Sequence, residues 1–242
     1  MPFIEKLRDV QQALAKNQLD GWLLYDFRRS NDLACNFLEI PADRMLTRRF
    51  FYWIPRQGEP AKIVNKMEDN VLSHLPGRTL RYSKWQEIET MISSVLKGCR
   101  TIAMEYSPRN AIPYVSKVDA GTMDIVRGYG VDVKSSADII QKYTSVWDQH
   151  KLKTHLYAAD VLCTAVDGAW EYIARHLKDK HPITEYMVQQ HILDYFLKRG
   201  CTASEPPICA VNENSANPHY CPTKEGAATI KKWDFIMIDL WC

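Results

Sequence analysis

Across 242 residues, 46% apolar and 25% charged side chains are enough to build a buried core in one or two domains. Thirty-one Lys and Arg against 29 Asp and Glu leave a formal charge of +2 spread without blocks, which argues against a nucleic-acid partner. Glu5, Lys6, Arg8 and Asp9 stand where a secretory signal needs its apolar core, and no later run reaches the length of a membrane span, so a soluble protein with a cytoplasmic address and no membrane partner is expected.

In chain order, Ile4, Leu7, Val10 and Leu14 recur at helical spacing over residues 4–17, and Asp20-Gly21 turns the chain into the apolar strand Trp22–Tyr25. Further strands are expected at 50–54, 61–64, 80–82 and 101–105, with a helix over 84–96 between two of them. Strands alternating with helices predict an α/β domain whose sheet is covered on both faces. Two short helices, 121–127 and 136–143, flank a last strand at 131–133.

Strand signals stop near 144–149, which places a domain boundary at about residue 145. Leu152, Tyr157 or Leu156, Val161, Ala165, Trp170 and Ile173 then mark a long amphipathic helix running to Leu177. A second helix is expected from Pro182 to Gly200, carrying Tyr186, Met187, Ile192, Leu193, Phe196 and Leu197. An apolar run at 208–211, a polar loop and a final apolar run at 235–241 complete the chain. Seven cysteines, odd in number and without a close pair, fit neither a disulfide framework nor a structural zinc site and are read as reduced thiols.

The last stretch carries the chemistry. Phe235-Ile236-Met237-Ile238 reads as a buried strand leading directly into Asp239. A buried carboxylate needs a cation, a metal or good donors, because leaving it unpaired costs several kcal/mol; alternatively the strand ends there and Asp239 reaches water. Upstream, Pro218 and Pro222 bracket His219 on the polar loop, holding the backbone extended around an imidazole that can exchange a proton or hydrogen bond with a reacting amide. The plainer reading is a surface or packing histidine.

The phrases ICAVNENSANPHYCPT and KKWDFIMIDLWC resemble the first half of the catalytic domain of the pita-bread metallopeptidases, the family of Xaa-Pro aminopeptidases, prolidases and creatinase. LDGWLLYDFRRSNDLACNFLEI, TIAMEYSPRNAIPYVSKVDAG and GVDVKSSADIIQKY resemble the creatinase-type N-terminal domain that precedes it. The resemblance implies a creatinase-like α/β domain over 1–145 and an incomplete α+β pita-bread half domain over 146–242. It implies two divalent metal ions (manganese, cobalt or zinc) that activate water against the bond before proline. Asp239 matches the first metal-ligating aspartate and His219 the histidine that contacts the substrate. The remaining metal ligands would follow Cys242, so the expectation is a truncated chain, inactive alone. Trp233 departs from the pattern, standing where the turn before the strand usually has glycine.

The resemblance leaves three functions: a piece of a metallopeptidase acting on proline-containing peptides, a creatinase-like hydrolase without metal, or a non-catalytic binding module. The resemblance also implies a homo-oligomer formed through the N-terminal domain, which exposed aromatics including Trp22, Trp53 and Trp85 would allow.

Overall fold

The computed structural model describes residues 2–242, which divide into two compact units, one ending at Val146 and the other Trp147–Cys242. The first is a mixed six-stranded sheet between helices. Its strands are β1 (Gly21–Asp26), β2 (Phe50–Pro55), β3 (Ala61–Asn65), β4 (Arg78–Tyr82), β5 (Thr101–Met104) and β6 (Asp132–Ser135), in spatial order β4-β3-β2-β1-β5-β6. β1, β2 and β3 pair antiparallel, whereas β3–β4, β1–β5 and β5–β6 are parallel.

Because strand side chains alternate, each strand feeds two cores. Trp22, Leu24, Phe50, Tyr52 and Ile54 face one layer, which is closed by α1 (Phe3–Lys16), α2 (Asp32–Phe37) and α5 (Ala137–Thr144). Leu23, Tyr25, Phe51, Trp53 and Ile63 face the other, closed by α3 (Trp85–Leu96) and α4 (Ala120–Gly128). Gly21 is required by this packing: a Cβ there would lie 2.1 Å from the Trp53 ring and 2.7 Å from the Ile54 carbonyl oxygen.

A buried carboxylate ties the elements of the first layer together. Glu105, fully buried, accepts from Trp22 Nε1 at 2.6 Å, Asn31 Nδ2 at 2.8 Å and Ser136 Oγ at 3.0 Å, and burial raises its pKa above the usual carboxylate range. Asn31 also caps α2, its side chain accepting from Ala34 N. This helix was not expected, because its short apolar face, Ala34, Cys35 and Phe37, is embedded in polar sequence.

In the second unit, α6 (Gln149–Lys178) and α7 (Glu185–Lys198) cover a two-stranded antiparallel sheet of β7 (Ile208–Val211) and β8 (Ile236–Asp239). Val161, Ala165, Ala169 and Ile173 of α6 recur on one face and meet Val188, Ile192 and Phe196 of α7. Asp148 caps α6 by accepting from Lys151 N at 2.8 Å, and Thr184 caps α7 by accepting from Met187 N.

Several expectations change. Pro182 lies ahead of α7, because the Thr184 cap sets the helix start. The strand expected at 131–133 runs from Asp132 to Ser135, paired with β5. Trp22 and Trp53 are core residues and Trp85 alone of the three is exposed, so two of them supply no oligomer surface. The run 235–238 is not buried: Phe235 is 63% exposed and Ile236, Met237 and Ile238 are half-buried, because the helices cover only one side of β8.

Candidate functional site

The register of the small sheet decides which side chains share a face. Cys209 pairs with Ile238 and Val211 with Ile236, and all four pack on the helices; Ile208 pairs with Asp239 and Ala210 with Met237 on the other side. Asp239 is thereby delivered to the face the helices leave uncovered. It is exposed, as the reading of a strand end reaching water had it.

His219 is also exposed, in the loop between the strands, and its backbone N–H donates to Asn217 Oδ1 at 3.0 Å. A single cavity of about 550 Å³ is lined by His219 and Asp239 together with Ile208, Tyr220, Cys221 and Trp241. The structure therefore brings the two sequence-derived candidates, 20 residues apart, to the walls of one concavity.

What fixes the histidine loop is Glu185, a residue the sequence did not single out. It opens α7, is fully buried, and its carboxylate receives four donors: Val211 N at 2.7 Å, Asn214 Nδ2 at 2.9 Å, Tyr220 Oη at 2.6 Å and Ala228 N at 2.7 Å. One side chain thus pins the end of β7, the loop residue beside His219 and the segment leading to β8. Burial and the Glu185 carboxylate push the Tyr220 phenol up to about 12, so it stays a donor at neutral pH. An acidic residue in a first helical turn after a Thr cap is ordinary, and nothing in its spacing marks burial.

The thiols near the cavity differ. Cys209 is fully buried, and desolvation, then Glu185, pushes it up to about 12, so it is a packing residue. Cys221 is exposed and accepts a weak contact from Gln189 Nε2 at 3.8 Å. Trp233 keeps the left-handed turn despite its side chain, with φ 75°. Asp234 then closes the turn through Lys231 N at 2.7 Å and Asn212 Nδ2 at 2.9 Å.

Among the described residues, no three His, Cys, Asp or Glu side chains converge to hold a metal ion. Asp239 and His219 do not complete a shell for one ion or for two, each of which needs several donors in defined geometry. No helix among the described residues is long and apolar enough to cross a membrane.

An α/β domain with both sheet faces covered, followed by a helix-backed pair of strands, is a fold this chain shares with solved peptidase structures. The chain superposes on a prolidase from Pyrococcus horikoshii OT3 with a TM-score of 0.55 at 16% identity, covering 97% of this chain and 59% of that one. The Xaa-Pro dipeptidase from Bacillus anthracis gives 0.58 at 14% identity, with 97% and 59% covered. The dipeptidase PepE from Mycobacterium ulcerans gives 0.64 at 16%, with 98% and 59% covered. This chain thus spans about three fifths of their length. Residues 157–242, which hold Glu185, His219 and Asp239, match the family model of metallopeptidase family M24. No curated protein matches the chain in sequence.

Proposed function

We propose that the chain forms part of a metal-dependent peptidase that cleaves Xaa-Pro bonds, in which Asp239 supplies one metal ligand and His219 contacts the substrate at the scissile bond. The observation that carries this reading is the shared cavity: within the segment matching metallopeptidase family M24, register and loop anchoring put one carboxylate and one imidazole on the same open face. The prolidase and Xaa-Pro dipeptidase names of the structural neighbours supply the substrate class, proline-containing peptides. The family description supplies the metal requirement, and two ions of manganese, cobalt or zinc type suit oxygen ligands such as Asp239.

With one carboxylate and no further converging ligands, residues 1–242 alone are inactive in this reading, and the other ligands come from outside them. A creatinase-like reaction without metal gives Asp239 no comparable task. The first domain, taken as residues 1–145, is proposed as the homo-oligomer contact, and the cytoplasm as the location.

The test uses a peptidase-active protein that contains these residues. His219→Ala lowers kcat on an Xaa-Pro dipeptide by roughly ten- to a thousandfold with metal content unchanged, whereas Asp239→Ala loses metal. Unchanged kcat in His219→Ala returns that residue to packing, and full metal content in Asp239→Ala removes it from the shell.

A further inference from the structure

A second concave surface of the same unit shares no lining residue with the cavity of His219 and Asp239. It is a groove of about 660 Å³ between the turn that follows α6 and the turn that precedes β8. Its rim is cationic: Lys178 and Lys180 stand at the end of α6, and Lys231 and Lys232 lie on the facing turn, with His181 beside them. Its floor is aliphatic, with Ile183 and Ile230 buried and Leu177 half-buried. No acidic side chain lines it. Of the sequence neighbours, Asp234 is already held by Asn212 and the Lys231 backbone, and Asp179 follows the last turn of α6. Among the described residues, none of the four lysine ammonium groups is in an ion pair.

The backbone sharpens the point. After α6, His181 N bonds to His176 O and Lys180 N to Leu177 O, the paired closure that puts the residue after the cap in the left-handed region. That residue is Lys180, with φ 58°, where glycine is the low-cost choice. Trp233 on the facing turn sits at φ 75° with its side chain 90% exposed and the Lys232 ammonium 4.9 Å from its ring centre. The molecule thus keeps a cation and an aromatic at two positions that favour glycine.

We infer that this groove docks an acidic peptide segment whose aliphatic side chains enter the Leu177, Ile183 and Ile230 floor while its carboxylates meet the four lysines. Charge complementarity names the sign of the ligand, and the aliphatic floor names its anchor. The floor offers no hydrogen-bonding groups to read base edges, and Lys232 lies over the Trp233 ring where a base would stack, which disfavours nucleic acid. A concave surface also suits a side chain better than the plane of a membrane.

The test is fluorescence anisotropy with a dye-labelled peptide of about eight residues alternating glutamate and leucine, a length an extended segment needs to span such a groove. The peptide should saturate the chain, and Lys231→Glu with Lys232→Glu should weaken it roughly tenfold or more. Lys16→Glu with Lys97→Glu, which makes the same change in net charge on exposed residues of the first unit, should leave binding intact. Replacing the leucines by serine should weaken binding to a similar degree, a result that needs no protein variant to fold. Equal binding by the groove variant, equal binding of the serine peptide, or tighter binding of oligothymidylate or phosphatidylserine vesicles than of the peptide would each overturn the inference.

Discussion

The two units solve the same problem, seating a glutamate in an apolar interior, with different degrees of closure around it. In the first unit Glu105 sits against a sheet whose two faces are both covered, and its donors are the side chains of Trp22, Asn31 and Ser136. In the second, Glu185 takes two backbone N–H groups as well as Asn214 and Tyr220, and holds the end of β7 together with the loops that follow it. The first unit buries both faces of every central strand; in the second the helices cover one face of β7–β8, and on the other Ile208 and Ala210 are buried while the end of β8, with Asp239, is open. A closed core makes a scaffold, whereas an open face pinned by a buried carboxylate makes a place where a ligand can sit.

The comparison breaks most sharply at Glu185. Glu185→Ala strands four donors and should destabilise the second unit by about 3 kcal/mol or more. Hydrogen exchange should rise at the Val211 and Ala228 amides and through the 212–224 loop, while β1 and β2 keep their protection. Unchanged exchange at those amides would mean that the loop is held by packing alone. Next comes the closed core: Gly21→Ala forces a methyl into Trp53 and the Ile54 carbonyl, and should cost the first unit about 1–3 kcal/mol in urea unfolding, with the second unit unaffected. The smallest effect falls on the open unit, where Trp233→Gly should stabilise by about 0.5–1 kcal/mol by relieving the left-handed turn. A loss of stability there would show that the exposed ring packs after all.

Much of this was legible before the structure. Buried strands such as Trp22–Tyr25 and 50–54 announce themselves because they are apolar on both faces, and the long helix α6 because its period is sustained over many turns. The helix α2 was not, since six residues give periodicity too little length and its cap, Asn31, is recognisable only once Ala34 N points at it. In the site, Asp239 and His219 stood out by chemistry and context. Glu185 did not, because its importance arises from four donors drawn from residues up to 43 positions away, a tertiary fact with no local signature. The run 235–238 was misread as buried for a related reason: apolar composition reports what a strand can bury, and coverage depends on how many layers the fold supplies.

The most direct test of whether one carboxylate and one imidazole on an open face are only part of a catalytic site is turnover by the 1–242 chain itself. Alanyl-proline and a proline-containing tripeptide would be incubated with the purified chain and added manganese, cobalt or zinc, and release of the N-terminal residue followed against a metal-only blank. The expected result is no hydrolysis above the blank with any of the three ions. Hydrolysis above the blank that disappears in Asp239→Ala would contradict it, and would show that the residues lining this one cavity suffice.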